Sequence, residues 1–157
     1  MKIILLMVGK TTLDPLQKMI QDYQQRIGHY VSYDTVVVPE LKNSKNIPLA
    51  EQKEKEADLL LKQIENQDHV ILLDEKGKSL TSVGFSELIA SKMVGSVKRV
   101  VFVIGGPFGF SQRMYQRANQ LLSLSAMTFS HQLIRLLFTE QLYRALTIIR
   151  GESYHHE

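Results

Sequence analysis

The 157-residue chain contains no cysteine. That absence removes disulfides, thiolate zinc sites, iron–sulfur ligation and a cysteine nucleophile together, so any chemistry falls to histidine, carboxylates, tyrosine, lysine, arginine or the backbone. No stretch approaches the run of about 20 apolar residues that a membrane span needs. The opening MKIILLMVGK lacks the small-residue cleavage site of a signal peptide, so a cytoplasmic protein with no membrane partner is expected. Internal repeats and low-complexity segments are missing as well. Neither sign of charge dominates: 19 Lys and Arg against 16 Asp and Glu leave a net +3, too little for a polybasic tail protein. With 44% apolar residues the chain is also too apolar for global disorder. What remains is one globular domain over residues 1–157.

The modest charge is unevenly spread. Residues 1–78 hold 11 basic and 12 acidic side chains, whereas residues 79–157 hold 8 and 4. The basic sites of the second half are Lys98, Arg99, Arg113, Arg117, Arg135, Arg144 and Arg150, with Lys92. Arginine suits phosphates and planar partners, and a patch facing one side would steer a polyanion. A solvated basic face without a ligand fits the count equally well.

Periodicity predicts strands alternating with helices. Lys2 to Val8 is a nearly continuous apolar run, as in a strand buried on both faces. Asp14-Pro15 reads as a helix N-cap followed by proline at the first helical position, with Gly28 as the C-cap. Val31 to Val38 reads as a second strand and Leu49 to Glu65 as a helix with a charged start, joined by a polar connection over 40–48. His69 to Asp74 is a third strand ended by a turn at Glu75-Lys76-Gly77-Lys78. Thr81 or Ser82 caps a helix that stops before Gly95, and Lys98 to Ile104 is a fourth strand. Ser111 caps a helix running to about Leu122, a short fifth strand covers Leu122 to Met127, and Gln132 to Arg150 is a long last helix. The pattern implies an α/β domain with a mainly parallel sheet flanked by helices. Because the last helix is apolar on more than one face, a second copy of the chain is its expected cover and a homodimer is expected.

Several motifs offer chemistry. Gly9-Lys10-Thr11-Thr12 ends like a phosphate loop, but the motif needs a glycine where Ile4 stands, so it reads as a strand-to-helix turn. Gly105-Gly106-Pro107-Phe108-Gly109, directly after a buried strand, fits either a tight turn or a loop whose backbone approaches a ligand. Ser123 to Ser130 offers amides and carbonyls suited to wrapping an adenine or a sugar. His131 lies at a helix N-terminus, as a cap or as a neutral ring. The tail Glu152-Ser153-Tyr154-His155-His156-Glu157 either frays or closes over a pocket. Its adjacent histidines are a poor metal pair, because successive side chains face opposite ways in an extended chain, and no metal is expected.

Taken together, Val70-Ile71-Leu72-Leu73-Asp74 with Gly77-Lys78, Phe102 to Pro107 with Gly109, Ser123 to Thr128, and His131 to Arg150 with Tyr154-His155 resemble the RlmH family. These are SPOUT-class methyltransferases that act on N3 of a pseudouridine in bacterial 23S ribosomal RNA. The resemblance runs from the first residues to the tail. It implies a deep trefoil knot in the C-terminal half, S-adenosylmethionine held in that knot, and an obligate dimer. Carried over position by position, the cofactor contacts are Leu73, Gly105 and the run Leu124, Ser125, Ala126, Met127, Thr128 and Phe129. Ser130 stands where the family usually has proline, Phe108 where a polar residue is common, and His156 where a cation usually follows Tyr-His.

N3 of pseudouridine carries a proton and has no free lone pair until that proton leaves, so the reaction needs positioning and a proton acceptor. The expected arrangement has Tyr154 and His155 closing over the base, with His155 taking the proton. Arg144 joins them in the catalytic group. Arg135 and Arg150 hold RNA, and the ribosome is the expected context. Two other classes fit parts of the sequence: an RNA-binding module without cofactor, and a nucleotide-binding regulator using Asp34, whose preceding turn lacks the needed glycines.

Overall fold

A computed structural model describes residues 1–42 and 46–156. Asn43, Ser44 and Lys45, in the expected 40–48 connection, and Glu157 of the tail lie outside the described residues. Five strands, β1 (Lys2–Val8), β2 (Ser32–Val38), β3 (His69–Ser79), β4 (Arg99–Ile104) and β5 (Gln120–Ser123), form one sheet in the order β2-β1-β4-β3-β5, all pairs parallel. The helices are α1 (Asp14–Gly28), α2 (Leu49–Leu61), α3 (Ser82–Val94), α4 (Gln112–Arg117) and α5 (Leu133–Arg150).

The continuous apolar runs become strands buried on both faces. Ile3, Leu5 and Met7, with Val100, Phe102 and Ile104, point to one side and pack under α1, α3 and α5. Ile4, Leu6 and Val8, with Val101 and Val103, point to the other, where Ala57 and Leu60 of α2 and Met114 of α4 cover them. Period-two alternation thus feeds two separate cores.

Several boundaries differ from the local reading. Asp14 is the first helical residue, not the cap; Leu13 takes that position, and its side chain makes no capping bond. Gly28 still lies within α1, and His29 follows as the C-cap in right-handed conformation. Thr81 does cap α3, its hydroxyl accepting the Gly84 N–H at 3.0 Å. Ser111 occupies the N-cap of α4, yet its buried hydroxyl has no partner among the described residues. That helix ends at Arg117, because Asn119 is drawn into the sheet: its N–H donates to Val70 O and its Oδ1 accepts the Val70 N–H. β5 accordingly begins and ends earlier than expected.

The third strand does not stop at Asp74. Leu73 and Lys78 both pair with Leu122, so residues 74–77 bulge out and the chain rejoins the ladder. Gly77 permits this, since a Cβ there would lie 2.5 Å from Leu122 N. Finally, α5 is covered largely within the chain, on one flank by α1 and on the other by α3. Phe138, Leu142, Ala145 and Leu146 are buried, leaving Leu133 and Ile149 as its exposed large apolar residues.

Candidate active site

In a parallel sheet the carboxyl ends of the strands and the loops that leave them form the natural ligand crevice. Here β3, β4 and β5 end side by side, and their loops enclose a cavity of about 540 Å³, within the usual size range of small-molecule sites. Leu73, Asp74, Glu75 and Lys76 supply one wall and Ile104 to Phe110 a second. Ser123, Leu124, Ser125 and Met127 to His131 supply a third, and Ile134 of α5 closes the back.

Each wall is held by short-range bonds. In the third, Ser123 Oγ donates to Ser125 O at 2.9 Å, and Ser125 Oγ accepts the Met127 N–H at 2.9 Å. Ser130 Oγ accepts the Leu133 N–H at 3.2 Å and so starts α5. In the second, the Gly109 N–H donates to Gly106 O at 3.2 Å, and Gly109 has φ +77°, which glycine adopts freely. In the first, Asp74 accepts the Lys76 N–H at 2.8 Å and the Tyr115 hydroxyl at 2.6 Å. Burial and the Asp74 carboxylate push the Tyr115 phenol up to about 12, so it stays a donor.

Of the expected cofactor residues, Leu73, Gly105, Leu124, Ser125, Met127, Thr128 and Phe129 all line this cavity; Ala126 lies in the same loop as the last five but does not line it. Lys53 of α2 and Tyr115 of α4 line it too, and the sequence reading missed both. The region of α2 had no motif, and Tyr115 reads locally as an ordinary helix residue.

The tail forms a second group. Tyr154 stacks edge-on against Tyr143 with centroids 4.8 Å apart, and the Arg144 guanidinium lies 4.7 Å from the Tyr154 ring centre. Glu140 Oε1 accepts from Arg144 Nη2 at 2.6 Å, from Arg144 Nε at 3.0 Å and from the Tyr154 hydroxyl at 3.1 Å. Tyr154 also meets the Tyr23 hydroxyl at 3.2 Å, and Arg144 Nη1 lies 3.4 Å from His155 Nδ1. Burial, followed by the bond to Tyr23 and the charge of Glu140, pushes the Tyr154 phenol well above its ordinary value, so Tyr154 keeps its proton. Glu140 was missed as the hub, although its i, i+4 spacing to Arg144 was a usable signal.

The structure brings Tyr154, His155 and Arg144 together but does not bring them to the cavity of the same chain. Ile134 lines the cavity and Arg144 lies ten residues further along α5, about 15 Å at 1.5 Å per residue.

Arg135 requires a correction as an RNA contact. Its side chain is fully buried and donates to Val8 O at 2.8 Å, Thr11 Oγ1 at 3.0 Å and His131 O at 2.9 Å, tying the end of β1 to the start of α5. Arg99 is likewise bound to Asp68 and Glu65, Arg113 to Asp58 and Glu54, and Arg117 to the carbonyls of Glu65 and Asp68. Much of the C-terminal basicity is therefore paired within the chain. Arg150 stands exposed at the end of α5.

A family model described as "Predicted SPOUT methyltransferase" matches residues 1–155. The chain belongs to the SPOUT methyltransferase family. It is 51% identical over 157 residues to a protein of Flavobacterium johnsoniae named "Ribosomal RNA large subunit methyltransferase H", all of both chains being covered. Proteins of the same name from Parabacteroides distasonis and Phocaeicola vulgatus are 50% and 52% identical, again over the full length of each. As a SPOUT methyltransferase the chain is an enzyme, and its five-stranded parallel sheet flanked by helices is that family's α/β architecture. Among the described residues no helix is long and apolar enough to cross a membrane, and no three His, Asp or Glu are grouped as a metal site needs.

Proposed function

We propose that the chain transfers a methyl group from S-adenosylmethionine to N3 of a pseudouridine in 23S ribosomal RNA, acting in the cytoplasm on the assembled ribosome and as a homodimer. The observation that carries this reading is the cavity at the ends of β3, β4 and β5, walled by the very loops at Leu73, Gly105 and 124–129. Its character fits an adenosyl group: apolar surface from Leu73, Ile104 and Ile134, and backbone donors and acceptors from two small-residue loops. Bound there, S-adenosylmethionine supplies a methyl group on a positively charged sulfur. A deep trefoil knot in the C-terminal half belongs to the same proposal; it would hold three loops distant in sequence around one ligand without a disulfide.

The remaining work falls to side chains of the tail. Tyr154, whose hydroxyl proton is committed to Glu140, offers its ring to hold the base, and the N3 proton passes to His155. Arg144, fixed by Glu140, stacks on Tyr154 and faces His155, leaving the pair oriented. Exposed Arg150 offers a phosphate contact. Since some 15 Å of helix separates this group from the cavity in one chain, the tail of a second copy completes the cavity of the first. Apolar residues exposed around the start of α5, Leu13, Met127, Phe129 and Leu133, support such a contact.

The test is methylation of ribosomes that lack the mark, followed by mass mapping of the modified nucleoside. A methyl group on N3 of pseudouridine is expected, and a methyl on another base overturns the substrate assignment.

A further inference from the structure

The cavity at the ends of β3, β4 and β5 straddles the edge of the sheet and so draws on both cores. Leu73, Ile104, Leu124 and Ile134 of its lining belong to the core under α1, α3 and α5. Phe110 and Tyr115 belong to the core under α2 and α4. The two flanks differ in charge. On the α5 flank, His131 is the one ionisable lining residue among the described residues. On the other stand Lys53 of α2 and the segment Asp74, Glu75 and Lys76, which Tyr115 of α4 draws to its side. The Tyr115 phenol donates to Asp74 at 2.6 Å, and the Lys76 ammonium lies 5.6 Å from its ring centre. Along α2, Glu51 pairs with Lys55 at 2.7 Å, and Glu54 and Asp58 pair with Arg113 at 3.3 and 2.7 Å. Lys53 is the exception: partly buried at the cavity wall, it makes no ion pair or hydrogen bond among the described residues. An ammonium in that setting is placed to take an anion from outside the chain.

We propose that Lys53 binds the α-carboxylate of the methyl donor, so that the adenosyl group lies on the α5 flank and the amino-acid end on the α2 flank. This rests on the reading that the cavity binds S-adenosylmethionine. That molecule is divided as the lining is, with a planar, uncharged base at one end and an α-amino acid carrying both signs of charge at the other. Lys53 supplies the cation for the carboxylate, and Asp74 and Glu75 put negative charge on the same flank for the α-ammonium. Lys53 thereby selects a donor that keeps its carboxylate.

The test is calorimetric titration with S-adenosylmethionine and with its decarboxylated form, which differs only in lacking the α-carboxylate. The parent should bind the decarboxylated form more weakly. Lys53→Met keeps an apolar stem and loses the ammonium. It should weaken S-adenosylmethionine binding by about tenfold or more, as loss of a charge-assisted bond allows, and leave the decarboxylated form within about twofold of the parent, since the bond it removes is one that form does not make. Lys53→Arg keeps a cation and should recover most of the affinity. An S-adenosylmethionine affinity unchanged in Lys53→Met would overturn the inference. So would an equal loss with both ligands, which marks damage to the cavity as a whole. A parent chain that binds neither ligand would instead remove the cofactor reading, and this inference with it.

Discussion

The two groups at the ends of α5 are built from opposite materials. At its N-terminal end the cavity is made of loop backbone, small residues and apolar walls, with glycines where chains approach closely. At its C-terminal end the tail cluster is made of long side chains, Tyr154, Arg144, Glu140 and His155, bonded to one another. The first suits gripping a ligand by shape and amides; the second suits moving a proton and orienting a planar base. Damage to either should therefore leave a distinct signature.

The sharpest way to break the contrast is His155→Ala. Single-turnover methylation should slow by about 10²–10⁴, while calorimetric affinity for S-adenosylmethionine stays within about twofold; a matching loss of affinity would mean that the regions are one site within the chain. Next in size is Arg135→Ala, which leaves the buried Val8 carbonyl and the part-buried His131 carbonyl without this donor. It should cost about 2–4 kcal/mol in urea denaturation without changing the salt dependence of RNA binding. Arg150→Ala should do the reverse, with stability within about 0.5 kcal/mol and a salt slope lowered by about one phosphate contact. Gly77→Ala, forcing a Cβ against Leu122 N, should cost about 1–3 kcal/mol by overpacking and show as a lower urea midpoint.

The smallest effect is a pH dependence. Glu56 has its folded pKa raised, chiefly by burial and further by Glu40, so the folded state holds this proton more tightly than the unfolded chain. Stability should fall as pH rises from the ordinary carboxylate range through the folded pKa, and the loss should persist above it. Glu56→Gln should thus melt about 1–3 °C above the parent at pH 7 and lose that advantage near pH 4. An advantage that grows on acidification would contradict the sign.

How far such features were legible depended on how local their causes were. β1 matches its expected bounds because an uninterrupted apolar run has one use in a two-sided sheet. The cavity loops were visible in their glycines and hydroxylic residues, and the resemblance added which positions face inward. The end of α4 was not visible, because Asn119 leaves the helix to pair with Val70, 49 residues away. Arg135 misled for the same reason: an arginine reads as surface, and two of its three acceptors, Val8 and Thr11, lie more than 120 residues earlier. The strand beyond Asp74 depended on a close approach of Gly77 to β5 that no window around residue 77 contains. The homodimer expectation lost part of its first argument, since α1 and α3 cover most of α5, and gained another in the separation of tail and cavity.

That separation carries the account, and complementation measures it directly. One chain carries Thr128→Trp, which places an indole on the cavity wall, and the other carries His155→Ala; each is assayed alone and after random mixing by co-refolding. If the cavity of one copy works with the tail of another, the inactive variants together should recover about a quarter of parental methylation, because half the dimers are mixed and each of those keeps one intact site of two. The same mixture gaining no activity, with mixed dimers demonstrably present, would contradict the account.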